Sequence, residues 1–156
     1  MEPFDGYPDW LRDNPRCLGG GNCRTEYGLR LQQITGQRSC VYCGLSLADT
    51  YEHWLLLSVE HVLPQQTMSR GPEWKQWVDN VYNLAICCQP CNTLLNGFRL
   101  APEVGAPTTY DGFFALRDAF FSEKKAYVQK WHEAQRRIFD TKPWDRPLDP
   151  STLPRY

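Results

Sequence analysis

Two pairs of closely spaced cysteines constrain the fold of this 156-residue chain more than any other feature of its sequence. Cys40 and Cys43 form the first pair, in CVYCG, and Cys88 and Cys91 form the second, in CQPCN. Each tight turn presents two thiolates, and four thiolates that converge on one ion complete the tetrahedral coordination of a structural zinc. The sequence therefore predicts a Cys₄ zinc site, which does no chemistry itself and holds the residues around it.

The overall composition is that of a protein that folds around one core and does not enter a membrane. Hydrophobic residues make up 42% of the chain and charged residues 22%, close to the averages for globular domains. No stretch approaches the roughly 18 apolar residues of a membrane span, and the start MEPFDGYPDW lacks the regions of a signal peptide. We therefore expect reduced cysteines and a cytoplasmic, intracellular location. Because the net charge is −1, any binding of nucleic acid would need locally concentrated positive charge.

The chain is expected to form one compact domain with three parts. These parts are an N-terminal arm and helix at residues 1–38, a central core at residues 39–100, and a C-terminal helical region with a proline-rich tail at residues 101–156. Trp10 and Leu11 are the residues expected to dock the arm on the domain. The tail is expected to be extended because it is rich in proline.

Apolar periodicity predicts the secondary structure of the core and its flanks. The segment TEYGLRLQQIT has helical spacing and stops before Gly36, which suits a helix terminus. WLLLSVEHV predicts a buried strand with His61 near its end, and residues 83–86 a short return segment. A helix is expected to run from about Asn92. Apolar residues at intervals of three and four over residues 113–138 predict one long amphipathic helix or two shorter ones.

The residues between and beside the cysteine pairs carry a specific family resemblance. Glu60 and His61 lie in SVEHVLP, Asn83 precedes a leucine, and Asn92 directly follows the last cysteine. Over about residues 39–97 this order resembles the HNH endonucleases of the ββα-metal superfamily. The resemblance implies an α+β fold, in which a two-stranded hairpin and a helix are pinned by the Cys₄ zinc and surrounded by additional α-helices. It also implies a metal-dependent hydrolase that cuts DNA and leaves a 5′-phosphate and a 3′-hydroxyl.

The same resemblance implies a role for each of these residues. His61 would be the general base, Asn83 the residue that orients it across the loop, and Glu60 and Asn92 the ligands of a catalytic Mg²⁺ or Mn²⁺. Since Asn92 stands at the third motif position, the sequence is an H-N-N version of the motif. The chemistry is consistent, because a neutral histidine can accept a proton from water and a hard cation can stabilise charge on the phosphate. A carboxylate and an amide oxygen form an oxygen-only site, which suits Mg²⁺ or Mn²⁺.

The motif departs from the family pattern in two ways and contains one ambiguity. Glu60 stands where aspartate is more usual, which lengthens the side chain by one methylene group. Leu95 stands where many relatives have lysine, and the adjacent Asn96 could take a polar role at the phosphate. Asn80 competes with Asn83 for the middle motif position, and the adjacent leucine and the nine-residue step to the last motif position favour Asn83.

Basic residues after the core are the candidates for contacts with phosphates. The candidates are Arg99, Lys124, Lys125, Lys130, Arg136 and Arg137. Positive charge supplies most of the non-specific affinity for nucleic acid, so we expect these residues to form a phosphate track for DNA, with RNA left open as a substrate. A single HNH site cuts one strand, so a homodimer is possible if both strands are cut.

The main alternative is a zinc-stabilised module that binds nucleic acid or protein and has no catalytic activity, because most CxxC pairs only hold a fold together. His53 is expected to be structural or exposed, and His132 to be a surface residue of the C-terminal helix. Cys87 is expected to be a buried small apolar residue. Cys17 and Cys23 are predicted to be free thiols, although a ligand set completed by folding or by a partner chain stays open.

Overall fold

The computed structural model describes residues 3–15 and 18–152. Within them the chain is an α+β domain with one two-stranded antiparallel sheet, as predicted. Strand β1 (Leu57–His61) pairs with strand β2 (Leu84–Cys88), in a register that sets His61 opposite Leu84 and Leu57 opposite Cys88. The sheet thus brings the histidine to one end of the hairpin and the second cysteine pair to the other.

Helices make up most of the remaining regular structure. The α-helices are α1 (Tyr27–Thr35), α2 (Tyr51–Leu55), α3 (Lys75–Val78), α4 (Gln89–Leu95) and α5 (Tyr110–Asp140). Short 3₁₀ helices lie at Asp9–Arg12, Gln65–Arg70, Pro72–Trp74, Val81–Asn83, Pro143–Asp145 and Pro150–Thr152. No helix in the described part of the chain is long and apolar enough to cross a membrane.

The first predicted helix forms, and the predicted strand is shorter than its apolar run. Helix α1 ends at Gly36, whose φ of 70° is the left-handed conformation that glycine adopts at helix ends. Trp54 and Leu55 belong to helix α2 and not to the strand. The hydroxyl of Thr50 accepts a hydrogen bond from the backbone N–H of His53 and caps this helix, which diverts the apolar run before β1 begins.

Helix α4 begins at Gln89, three residues before the expected start at Asn92. Pro90 lies in its first turn, where the missing N–H costs no hydrogen bond. The helix packs on both strands and against α5. This arrangement places Asn92 on the face of α4 nearest β1.

The C-terminal apolar residues form one helix and not two. Helix α5 has 31 residues, and Ser122 lies inside it with its hydroxyl donating to the carbonyl of Asp118. Its inner face is buried as far as Val128, and beyond that residue the helix is mostly exposed. The tail forms two 3₁₀ turns and is not simply extended. Trp144 is exposed, with its ring 5.3 Å from that of Phe139.

The N-terminal arm docks through Leu11, one of the two residues expected, and through Tyr7 in place of Trp10. Leu11 is fully buried, as predicted, whereas Trp10 is 50% exposed. The buried Tyr7 has the larger role, because its hydroxyl donates to the carbonyl of Leu84 in β2 and its ring stacks on that of Tyr82. Tyr7 thus contacts the start of β2, and all five residues of this strand are buried.

Candidate functional site

The two cysteine pairs meet at one point, at the end of the hairpin opposite His61. The Sγ atoms of the four cysteines all lie within 4.8 Å of one another. Cys40 and Cys43 flank a tight turn, Cys88 ends β2, and Cys91 lies in the first turn of α4. Four converging thiols of this kind can hold a structural metal ion such as zinc. Among the described residues, no other group of three or more possible ligand residues converges in this way.

The loop that carries the first cysteine pair is fixed to the sheet by its backbone. Gly44 adopts a φ of 77°, and its N–H donates to the carbonyl of Cys40 at 2.8 Å. The N–H of Val41 donates to the carbonyl of Ile86 in β2 at 3.1 Å. The turn geometry and this link to β2 together hold the first pair against the second.

His132 reaches the cysteine cluster from α5, so the prediction of a surface role for it is wrong. Its Nε2 atom lies 3.3 Å from Cys91 Sγ, and the side chain is half-buried. A thiolate that binds a metal can accept a hydrogen bond from a neighbouring N–H, and such outer contacts help to orient the ligand. Helix α5 is therefore attached to the cysteine cluster as well as to the core.

Three of the four predicted motif residues line one small cleft, whereas Asn83 is fully buried and does not. This cleft, of about 130 Å³, lies between the end of β1, helix α4 and helix α5. Glu60, His61 and Asn92 all contribute to its walls. Asn96, the residue directly after α4, lines it as well. The fold thus brings together residues that are 32 positions apart in the sequence.

His61 occupies the last position of β1 and faces two openings. It lines the cleft with Glu60 and also a second depression of about 430 Å³, whose wall includes Asp79. Burial lowers the pKa of His61 to about 4, while the charge of Asp79 acts in the opposite direction. The imidazole is therefore neutral near pH 7, which is the form that can accept a proton.

Asn83 fixes the loop that follows His61. Its Oδ1 accepts a hydrogen bond from the N–H of Leu63 at 2.7 Å, and its Nδ2 donates to the carbonyls of Leu63 and Val78 at 3.0 and 2.9 Å. The backbone carbonyl of Asn83 accepts from Val62 at 2.8 Å. Asn83 is completely buried, and these bonds use both ends of its amide.

Asn80, the competing residue, has a different set of contacts. Its Oδ1 accepts from the N–H of Tyr82 at 3.1 Å and caps the 3₁₀ turn, and its Nδ2 donates to the hydroxyl of Tyr110 at 3.3 Å. The hydrogen bonds across the loop after His61 come from Asn83.

Replacing Asn83 by alanine is expected to lower the free energy of unfolding by about 2–4 kcal/mol, because each buried polar group left without a partner costs about 1–3 kcal/mol. The loop beneath His61 should loosen at the same time. Chemical denaturation measures the loss. Asn96→Ala is the matched control, since this exposed asparagine makes no side-chain hydrogen bond with the described residues, and equal stability of the two variants would contradict the role of Asn83.

Asn92 is held by a neighbour on the strand. Its Nδ2 donates to Ser58 Oγ at 2.8 Å, and Ser58 is a buried residue of β1. The Oδ1 atom of Asn92 accepts no hydrogen bond from the residues that the structure describes. The nitrogen of the amide is thus engaged, and its oxygen is of the kind that is suited to bind a hard cation.

Lys124 lies inside the site and not on the surface, so the prediction that it belongs to an exposed phosphate track is wrong. The side chain is 1% exposed and forms an ion pair with Glu60. Burial raises the pKa of Glu60 and lowers that of Lys124, and the ion pair opposes both shifts. The sequence did contain a signal for this position, because Lys124 lies four residues after Phe120 and four before Val128, on the buried stripe of α5.

The other candidate phosphate contacts are spread over the surface. Lys130, Arg136 and Arg137 are exposed on the C-terminal half of α5, and Lys125 is half-buried with its Nζ 5.9 Å from the centre of the Phe121 ring. Arg99 is exposed after α4. A phosphate track formed by these residues stays a prediction.

Cys23, Cys87 and His53 lie outside the cleft. Cys87 is fully buried, as predicted. Cys23 is half-buried, with its Sγ 3.0 Å from the hydroxyl of Tyr27, and Cys17 lies outside the described residues. His53 is half-buried on α2. None of these three described residues lines the cleft.

Comparisons with protein-family models, with curated proteins and with solved structures find no match to this chain. The function is therefore inferred from the chemistry of the cleft and the cysteine cluster.

Proposed function

We propose that this protein is a metal-dependent endonuclease of the HNH type that hydrolyses phosphodiester bonds in DNA. The observation that carries the proposal is the meeting of Glu60, His61 and Asn92 at one cleft, next to a four-cysteine cluster. The loop contacts of Asn83 support the proposal further, because they hold the backbone next to the histidine.

His61 is the general base of the proposed reaction. It accepts a proton from the attacking water, for which it must be neutral and open to the cleft. Its lowered pKa and its place in the cleft wall meet both requirements. Asn83 contributes indirectly, since the loop that it holds begins immediately after the histidine.

Glu60 and Asn92 are the residues that would hold the catalytic cation. Lys124 engages Oε1 of Glu60, which leaves Oε2 for a cation, and the amide oxygen of Asn92 is similarly available. A carboxylate and an amide oxygen suit Mg²⁺ or Mn²⁺, which retain several waters and take substrate phosphate as a further ligand. The cation supplies stabilisation of negative charge on the phosphate and on the leaving oxygen.

The cysteine cluster has a structural role in this proposal, with zinc as its metal. Four protein ligands leave no open position on the ion, so the site holds the first cysteine turn, β2 and α4 together. Exposed basic residues, including Lys130, Arg136 and Arg137, are the proposed contacts for the DNA backbone. A single active site cuts one strand, so a double-strand break would need two protomers or two successive nicks.

A second candidate function is a zinc-stabilised module that binds nucleic acid or protein without cutting it. The ion pair between Lys124 and Glu60 favours this candidate, because a carboxylate already neutralised by a buried ammonium is a weaker ligand for a second cation. The two candidates differ in whether DNA is cut when a divalent cation is added.

Incubating supercoiled plasmid with the zinc-loaded protein and Mn²⁺ distinguishes the two functions, because only the endonuclease would nick the plasmid. Asn92→Ala is expected to raise the Mn²⁺ concentration needed for half-maximal nicking by about tenfold or more, because it removes a proposed ligand. Thr93→Ala is the matched control, since Thr93 is an exposed neighbour on α4 that does not line the cleft. An unchanged Mn²⁺ requirement in Asn92→Ala would contradict the assignment of this residue.

A further inference from the structure

We infer that Lys124 is a positioning residue of the proposed cation site, which holds the Glu60 carboxylate in one orientation so that its free oxygen is available to the cation. The inference rests on the proposed function, and it adds to the site a residue from α5, outside the segment that resembles the HNH motif. It also gives a reason for a charged side chain at a buried position that an apolar side chain could otherwise fill.

The first observation is the number of acceptors around the ammonium. Lys124 Nζ donates to Oε1 of Glu60, to the carbonyl of Val62 at 2.7 Å and to the carbonyl of His61 at 3.2 Å. A lysine ammonium has three N–H donors, so these partners use its full capacity. With all three donors occupied, the ammonium has one preferred position relative to the end of β1.

The second observation is the burial of the pair. Lys124 is 1% exposed and Glu60 is 7% exposed, and the ring of Phe120 lies 5.2 Å from the ammonium. Charges are seldom buried to this extent unless they are paired and hydrogen-bonded. Separating the two side chains would leave an unpaired buried charge, so the ion pair holds the carboxylate from the side of the helix.

The third observation is which atoms are left free. Lys124 engages Oε1 of Glu60, whereas Oε2 accepts no hydrogen bond from the described residues. Lys124 and Glu60 both line the same cleft as His61 and Asn92. The helix therefore holds one oxygen of the carboxylate and leaves the other for a ligand within the cleft.

Lys124 also acts on the backbone next to the proposed base. Its bonds to the carbonyls of His61 and Val62 lie on the same short segment that Asn83 fixes through Leu63. Helix α5 and the 3₁₀ turn before β2 thus hold this segment from two directions. The C-terminal region is consequently part of the site and not an arm beside it.

A purely structural ion pair makes a different prediction from a positioning residue. If Lys124 only balances the charge of Glu60 for folding, its removal lowers stability and leaves the cation affinity of the folded protein unchanged or raises it, because a positive charge beside the carboxylate is lost. If it orients the carboxylate, the loss of that orientation outweighs the relieved repulsion and the cation affinity falls. Partners that orient metal ligands typically change metal affinity by about 10–100-fold when they are removed.

The test is Mn²⁺ binding by the zinc-loaded, full-length protein, measured from the electron paramagnetic resonance signal of free Mn²⁺. Lys124→Met, which keeps most of the side-chain volume, is expected to weaken Mn²⁺ binding by about 10–100-fold while the zinc content stays the same. Lys125→Met is the matched control and is expected to bind Mn²⁺ within about twofold of the unchanged protein, because Lys125 does not line the cleft. Lys124→Gln is the second variant if Lys124→Met does not fold, and the same weakening is expected.

The outcomes distinguish this inference from the function on which it rests. Unchanged or tighter Mn²⁺ binding in a folded Lys124 variant, together with binding by the unchanged protein, overturns the positioning role and leaves the endonuclease proposal in place. Absence of Mn²⁺ binding by the unchanged protein overturns both. Weakening in Lys124→Met and not in Lys125→Met supports both.

Discussion

Replacing His61 by alanine is expected to lower the rate of DNA cleavage by at least about a hundredfold, because a positioned general base contributes about 10²–10⁴-fold to such a reaction. The cleft keeps its proposed cation ligands in this variant, so binding of Mn²⁺ should change far less than the rate. The measurement is the single-turnover rate of cleavage of a labelled duplex at saturating enzyme, which separates the chemical step from substrate binding.

The control for this variant is another histidine of similar burial. His53 is half-buried on α2 and does not line the cleft, so His53→Ala is expected to retain cleavage within a few-fold of the unchanged protein. Thermal unfolding of both variants shows whether each is folded at the assay temperature. A folded His61→Ala protein that cuts DNA at nearly the normal rate would remove the proposed base from the mechanism.

Removal of the metal from the cysteine cluster is expected to abolish cooperative folding. Structural zinc sites have apparent binding free energies of about 10–16 kcal/mol at neutral pH. The whole free energy of unfolding of a domain is only about 5–15 kcal/mol, so the zinc-free protein should be largely unfolded. Cys91→Ser is the sharpest variant, because Cys91 joins the cluster to α4 and contacts His132 of α5.

Zinc content and thermal unfolding together measure this effect. The unchanged protein should contain about one zinc per chain, and Cys91→Ser should contain much less and lack a cooperative transition. Cys87→Ala is the matched control, since this buried cysteine is adjacent to the cluster and is not part of it, and it is expected to keep its zinc. A Cys91→Ser protein that unfolds cooperatively at the normal temperature would show that the cluster does not hold the fold.

Features with local causes could be predicted from the sequence. The turn chemistry of the CxxC pairs, the apolar run that contains β1 and the glycine that ends α1 each depend on neighbouring residues, and each has its counterpart in the structure. The predicted strand starts at Trp54 and the observed one at Leu57, because the cap at Thr50 starts a helix that competes with strand propensity. The predicted helix starts at Asn92 and α4 starts at Gln89, because proline is favoured in a first helical turn.

Contacts between distant segments could not be predicted in the same way. Lys124 meets Glu60 across 64 positions, and His132 meets Cys91 across 41, because α5 packs back on the core. Charged and polar residues on a helix are usually solvated, so the sequence favours a surface position for both Lys124 and His132. For Lys124 the register of the buried stripe was a contrary signal, whereas the apolar pattern around His132 is too weak to place it.

We propose that the protein cuts DNA at the cleft around His61 with the help of a divalent cation. The test is to incubate the zinc-loaded protein with supercoiled plasmid, first with no added divalent cation and then with Mg²⁺ or Mn²⁺, and to identify the ends of the products. We predict nicking only after the cation is added, with 5′-phosphate and 3′-hydroxyl ends. Intact plasmid at saturating Mg²⁺ and Mn²⁺, or equal cleavage without either cation, would contradict the claim.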